Sequence, residues 1–394
     1  MRRLNATVSP LLLDTINERV ESKGLSRKKL GQAVAELSRI FTKERSHLTR
    51  TYLDDELLGA AYLQYFLPVN LAKIQLLLEE MPASEPVARF SVLDIGSGPG
   101  TGALAVLDWW HQRELPYALS VTAIDSSSGA LRQGRQLWDR YCRSARIQEA
   151  DLQAHVGNLE RREWSEQVRQ KGPFDLIILA NCLNEIFAGA GDPIMARTTF
   201  VDQSLALLAS HGTMMIVEPA LRETSRALHQ VRDRLLQEKR CTIYSPCLHE
   251  WNCPALVKPD DWCHEERAWE PPVSIQEIDE EVGFIKDALK FSYLLLRKDG
   301  KTIVDRRSDV YRVVSELREL KGEKRAWLCN EQGRQEVGRQ DRLASPQNQA
   351  LDQWHRGAIV QIEKIVHKER KGKVSALGRI EQDVSVQIVK SSDR

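Results

Sequence analysis

Between Ser91 and Gly102 an apolar run broken by one acid, Val92-Leu93-Asp94-Ile95, passes directly into Gly96-Ser97-Gly98-Pro99-Gly100-Thr101-Gly102. A further apolar stretch, Ala103-Leu104-Ala105-Val106-Leu107, follows at once. This order predicts a strand, a tight turn and a helix. Glycines accept the positive φ of such a turn and carry no Cβ, so backbone can touch a ligand at the N–H groups that open the helix. Few other local patterns constrain a fold as strongly.

The surrounding chain agrees with that unit. Apolar segments at 92–95, 119–124, 154–156, 174–180 and 212–218 alternate with helical patterns at 101–110, 128–142 and 200–208. The segment at 174–180 is apolar almost throughout, as a strand buried on both faces is. A βαβα order predicts an α/β fold: a doubly wound, Rossmann-like parallel sheet that binds ligands at the carboxyl ends of its strands. A helix at 223–239 and strands at 241–244 and 291–296 then extend the sheet, with a loop rich in Cys, Pro, Trp and His at 245–273 inserted between those strands.

Flanking segments differ in character. Ser9-Pro10 opens a helix with an N-cap and a proline in the first turn. Further helical patterns at 26–41, 53–66 and 68–81 make residues 1–85 a helical N-terminal domain. Its aromatics Tyr52, Tyr62, Tyr65 and Phe66 are read as helix packing in preference to a substrate cleft. Residues 86–300 form the sheet domain. In residues 301–394, short strands at 310–314, 325–328, 335–338, 358–366, 374–380 and 384–389 suggest a small C-terminal β domain of OB-like character.

At 394 residues, 42% hydrophobic and 28% charged, the composition is that of a soluble chain of two or three domains, and no apolar run reaches the ~18 residues of a membrane span. Met1-Arg2-Arg3-Leu4 is basic, but no apolar stretch follows it, and Asp14 and Glu18 argue against a transit peptide; the expectation is a cytoplasmic protein. The net charge of +1 conceals +6 in residues 1–50, −11 in 51–300 and +6 in 301–394. Basic ends around an acidic middle suit a polyanion such as RNA, and equally suit solvated surface.

The glycine spacing narrows the ligand. Asp94 with Gly96, Gly98 and Gly100 forms a D-x-G-x-G-x-G run like that of class I methyltransferases, which bind S-adenosylmethionine. A dinucleotide turn requires glycine where Thr101 stands, and a P-loop requires a Gly-Lys-Ser/Thr ending. Asp125, ending the second strand, is placed for the ribose hydroxyls or as a helix cap. Asn158, past the third strand, is assigned to the adenine. The fourth strand ends in Asn181-Cys182-Leu183-Asn184-Glu185. Asn181 is expected to hold the cofactor and Asn184 and Glu185 to meet the methyl acceptor, with Glu185 as a base, or else to cap the next helix or hold the cofactor's amino acid end.

Seven cysteines without a secretory signal do not suggest disulfides. Cys247, Cys253 and Cys263 crowd one loop, with Cys329 far along the chain. Four thiolates suit a tetrahedral zinc or a [4Fe–4S] cluster, and gaps wider than Cys-x2-Cys favour the cluster. A Cys3His zinc site using His249 or His264 is the alternative.

These residues together carry a family likeness. The chain resembles the Rsm family of methyltransferase-like proteins, named for the mitochondrial ribosomal small subunit and also present in bacteria. The likeness rests on Val92 to Gly102, Leu183-Asn184-Glu185, Val217-Glu218-Pro219, Ser245-Pro246-Cys247-Leu248-His249, Cys253-Pro254, Asp261-Trp262-Cys263-His264, Phe284-Ile285-Lys286-Asp287 and Phe291-Ser292-Tyr293. It covers roughly residues 50–360. The resemblance implies a [4Fe–4S] cluster on Cys247, Cys253, Cys263 and Cys329, a cofactor site at the glycine turn, and a role in small-ribosomal-subunit assembly or rRNA methylation. A non-catalytic RNA-binding assembly module that keeps the fold is the alternative.

Overall fold

The computed structural model describes residues 8–44, 52–82, 88–370 and 372–391. The leader reading at Met1 to Leu4 and the boundary at 85/86 lie outside the described residues.

Among the described residues four helices come first: α1 (Pro10–Glu21), α2 (Arg27–Thr42), α3 (Glu56–Ala61) and α4 (Leu67–Glu80). The Ser9 hydroxyl accepts a hydrogen bond from the Leu12 N–H and Pro10 occupies the first turn, so α1 starts where its cap dictates. Tyr62–Phe66 forms a π turn joining α3 to α4. A π turn wraps five residues per hydrogen bond and rotates the following side chains, a device found often at functional sites.

Alternation then begins: β1 (Arg89–Ile95), α5 (Thr101–Gln112), β2 (Ala118–Asp125), α6 (Ser128–Ala145), β3 (Ala150–Val156), α7 (Glu163–Arg169), β4 (Phe174–Ala180), α8 (Pro193–Leu205) and β5 (Leu208–Pro219). It continues through α9 (Arg222–Gln237), β6 (Thr242–Ser245), β7 (Glu265–Ala268), α10 (Val273–Val282) and β8 (Ala288–Arg297). The sheet order is β3-β2-β1-β4-β5-β8-β6, with β7 also paired to β8. β1 to β5 are mutually parallel, while β8 runs antiparallel to β5 and to β6. This is the expected α/β class, a Rossmann-like sheet whose order reverses at β1/β4 and opens a crevice there.

Side-chain alternation explains the two cores. Leu176 and Ile178 of β4, with Met215 and Val217 of β5, face α4, α5 and the other N-terminal helices. Their neighbours Ile177, Leu179, Met214 and Ile216 face the opposite layer, where Phe200 of α8 and Leu228 and Val231 of α9 pack. All eight strand residues are fully or almost fully buried, so charge at any of them is excluded. Among the described residues no helix is long and apolar enough to cross a membrane.

The remaining strands, β9 (Val310–Val313), β10 (Arg318–Leu320), β11 (Glu323–Asn330), β12 (Gly333–Gln340), β13 (Ile359–Ile362), β14 (Val366–Arg370), β15 (Lys373–Arg379) and β16 (Val386–Lys390), form a second sheet. Its order is β14-β15-β12-β11-β9-β13-β16, with β10 on β11. Among the described residues seven strands lie on a pairing path that ends at β14 and β16, with β10 beside it, against the six short strands read from the sequence. The segment read as one strand at 358–366 is two, β13 and β14, which lie at different places in the sheet.

Candidate functional site

At the carboxyl edge of the first sheet lies a cavity of about 490 Å³. Gly96, Gly98, Asp125, Asn158, Asn181, Asn184 and Glu185 all line it. Residues far apart in sequence thus meet around one space, large enough for a nucleoside-sized ligand.

The glycine loop forms its floor. Gly96 has φ +68°, and a Cβ placed there would lie 2.6 Å from Cys182 Cβ, so the loop passes within contact of the β4 end only as glycine. Asp94 and Gly100 do not line the cavity. Asp94 sits beneath the loop, buried, and accepts a hydrogen bond of 2.9 Å from the Ala103 N–H at the start of α5. Burial raises its carboxyl to about 6, against the hydrogen bonds from Ser97 and Ala103. Gly102 is glycine because a Cβ would fall on that carboxylate. The expected cofactor residue Asp94 therefore acts by fixing the turn and capping α5.

Asp125 has a double role. One carboxylate oxygen accepts from the Gly98 N–H at 2.9 Å and the other from the Ser127 N–H at 2.8 Å. The Ser126 N–H adds a third bond, which leaves one of the four lone pairs on a group that lines the cavity. Burial raises its carboxyl, opposed by those N–H groups. The Asn158 oxygen accepts from the Glu160 N–H at 3.0 Å and so shapes the turn after β3.

The β4 end is held from below. Asn181 takes a left-handed conformation, φ +59°, and its N–H donates to the Val217 carbonyl at 2.7 Å. Arg197 donates to the Asn184 carbonyl at 2.8 Å and the Ile186 carbonyl at 3.1 Å, so one guanidinium sets the 181–187 turn. Glu218, buried behind Asn184, has its carboxyl raised to about 8 by burial; Asn184 opposes the shift and the charge of Glu185 adds to it. A carboxyl raised in the folded state weakens folding as pH climbs from its ordinary value to the raised one. Glu218→Gln is therefore expected to melt like the parent near pH ~5 and to be more stable by ~2–4 kcal/mol near pH ~9. Thermal melts across that range check it.

The N-terminal helices supply the roof, contrary to the packing role expected for their aromatics. Tyr52, Tyr62 and Phe66 line the cavity while also packing on one another, Tyr62 and Phe66 with ring centroids 6.0 Å apart. Tyr65 points away and donates to Asp279 of α10 at 2.6 Å. Lys73, Lys286 and Lys290 line the same cavity; Lys286 stands in a stretch that carries the family likeness, but none of the three was assigned to the site from the sequence.

The cysteine loop is scaffolded by one face of α9. Arg226 donates to the carbonyls of Ala255, Lys258 and Asp261, and buried Arg232 to those of His249 and Trp251. Asp233 accepts from the Cys253 N–H, and His229 contacts the Cys263 carbonyl at 3.2 Å. Residues 226, 229, 232 and 233 recur at helical spacing, a signal present in the sequence but readable as a solvated face. From the second sheet, Arg334 donates to both oxygens of Asp261 at 2.6 Å, and Leu248 packs on Val310 and Ile359. The loop therefore bridges both sheets instead of belonging to one.

Cys247, Cys253, Cys263 and Cys329 feel one another electrostatically: burial raises the Cys253, Cys263 and Cys329 thiols, Cys263 to about 11, and the neighbouring thiols add to each shift. Cys329 Sγ stands 3.8 Å from His249 Nε2. Among the described residues no group of three or more His, Cys, Asp or Glu is arranged to hold a single metal ion.

Residues 57–339 match the family described as mitochondrial small ribosomal subunit Rsm22. The match runs from α3 to β12 and includes the glycine loop, the cavity lining from Tyr62 onward and all four loop and β11 cysteines. The chain belongs to the Rsm22 family. No curated protein sequence matches it. Similar solved structures include a chain of the fibrillarin/Nop5p complex, at 12% identity over 58% of this chain and 82% of that one, TM-score 0.31. The CurJ carbon methyltransferase is similar at 14% identity over 72% and 70%, TM-score 0.34. A type I restriction-modification methyltransferase subunit from Streptococcus thermophilus is similar at 15% identity over 71% and 56%, TM-score 0.35. The Rsm22 family match spans both the cleft and the cysteine loop.

Proposed function

We propose that the protein binds S-adenosylmethionine in this cleft, holds an iron–sulfur cluster on Cys247, Cys253, Cys263 and Cys329, and serves the small ribosomal subunit, in its assembly or in methylation of its RNA. The convergence of the glycine floor, Asp125, Asn158 and the 181–185 turn on one cavity carries the cofactor reading. Gly96 and Gly98 let backbone approach the ligand, Asp125 keeps a lone pair for a ribose hydroxyl, and Asn158 lies toward the adenine. Asn181 flanks the amino acid end. The cofactor, when bound, supplies an electrophilic methyl group on a sulfonium. Asn184 and Glu185 stand where the acceptor arrives, with the Glu185 carboxylate as the base that takes its proton.

Four thiols brought together from one loop and β11 support the metal reading. An ion of zinc type draws its donors to about 2.3 Å, whereas a cluster with one thiolate on each of four irons keeps them apart. His249 beside Cys329 supports the zinc alternative, a Cys3His site.

Protein purified without oxygen is expected to be brown and to contain about four irons per chain; colourless protein with one equivalent of zinc contradicts the cluster. Cys329→Ser is expected to lose the iron and to loosen the second sheet more than the first, read by hydrogen exchange. Crosslinking in cells, with sequencing of bound RNA, tests the ribosomal role: recovery of small-subunit rRNA is expected, and its absence contradicts it. Methyl transfer to that RNA supports catalysis, and cofactor binding without transfer supports an assembly module.

A further inference from the structure

A chain of polar contacts leads from the glycine loop into the helical roof. The Tyr62 hydroxyl is hydrogen-bonded to Thr101, the first residue of α5. Asn70 donates to Tyr62 Oη at 3.5 Å, and Lys73 Nζ donates to Asn70 Oδ1 at 3.1 Å. Asn70 and Lys73 are one helical turn apart on α4, so both face the same end of the cavity. Lys73 is 9% exposed, yet among the described residues no carboxylate pairs with it. An ammonium taken out of water without a counter-charge is costly, and its presence at a cavity wall calls for an anion.

Its neighbours are otherwise engaged. Lys290 pairs with Glu266 at 2.8 Å, and Lys286 lies by Asp279, whose carboxylate accepts from the Lys286 N–H at 3.0 Å. The other charged groups that line the cavity are Lys286 and Lys290 from the β8 side, Glu185 from the β4 turn and Asp125 from β2. The charge of Glu185 reaches the Tyr62 phenol. Lys73 thus stands on the Asn70–Tyr62–Thr101 chain that ends at the α5 N-terminus, whose partial positive charge adds to its own, a pattern complementary to a carboxylate.

We propose that Lys73 is the counter-ion of the carboxylate at the amino acid end of the bound cofactor, oriented through Asn70 and Tyr62. This rests on the cofactor reading above and adds to it a residue and a direction: the methionine moiety points to α4. Burial, and then Lys286, lower the Lys73 ammonium to about 7. Above that pH the free protein carries a neutral amine, so a carboxylate that restores the charge is bound with uptake of a proton.

Two probes separate this from the cofactor reading itself: S-adenosylhomocysteine, which has the amino acid end, and 5′-methylthioadenosine, which lacks it. With full-length protein, calorimetry is expected to show S-adenosylhomocysteine bound about 10- to 100-fold more tightly. Lys73→Met is expected to abolish that preference while leaving methylthioadenosine binding unchanged, which also shows the variant is folded. Lys73→Arg is expected to restore part of it. In the parent at pH ~8, heats measured in buffers of different ionisation enthalpy are expected to reveal proton uptake with S-adenosylhomocysteine alone. Equal loss of both ligands in Lys73→Met, or loss of neither, overturns the proposal. Parent protein that binds methylthioadenosine as well as S-adenosylhomocysteine overturns it too, while leaving the cleft a nucleoside site; parent protein that binds neither removes the cofactor reading and this one with it.

Discussion

Glu265→Ala is expected to lower stability by about 3–5 kcal/mol. Glu265 lies on β7 and is buried between two guanidiniums, Arg267 at 2.8 Å and Arg312 of β9 at 3.1 Å. Removing the carboxylate leaves two buried cations facing each other. Arg312 also donates to Tyr293 Oη at 2.9 Å, and that hydroxyl donates to Glu80 of α4 at 2.5 Å. One network therefore joins the helical roof, the first sheet and the second. Arg312 pairs in register with Cys329, so the loss is expected to reach the cysteine site as well. Denaturant unfolding of parent and variant measures it; a change below about 1 kcal/mol contradicts the network. Although burial works against it, Arg312 and then Arg267 hold the Glu80 carboxyl below its ordinary value. A depressed carboxyl adds stability at neutral pH that is lost as pH falls through the folded value, so acid is expected to weaken this junction.

The second large effect is on binding. Gly96→Val is expected to reduce affinity for S-adenosylhomocysteine at least ~100-fold, because a β-branched residue at positive φ is strained by roughly 1–2 kcal/mol and its Cβ overlaps Cys182. The loop must move, and with it the Gly98 N–H that orients Asp125. Gly189→Ala, where a Cβ meets nothing within 4 Å, is the control and is expected to bind as the parent does. Equal affinity in Gly96→Val contradicts the loop as the floor of the site.

Much of this was legible in local sequence because it is local in structure. Strand β4, buried on both faces, reads as an apolar run, and the glycine spacing at 96, 98 and 100 records a turn whose backbone takes positive φ at all three. Four cysteines stood out by residue type alone. What was not legible depends on contacts distant in sequence. Arg312, Arg267 and Arg232 are charged residues that look like solvated surface until Glu265, Glu80 and the loop carbonyls close around them. Tyr52, Tyr62 and Phe66 are apolar enough to pass for packing, and they do pack; that they also line the cavity depends on where the helices dock on the sheet. The direction of Asp94 was hidden for a related reason. An acid at a strand end is equally able to face a ligand or to cap the next helix, and the bond to Ala103 decides.

The most direct test is calorimetric titration of full-length protein with S-adenosylhomocysteine, set beside the Gly96→Val variant. Saturable binding of one ligand per chain in the parent and its loss in the variant is the expected result. Parent protein that takes up no ligand at high micromolar concentration contradicts the assignment of the cleft.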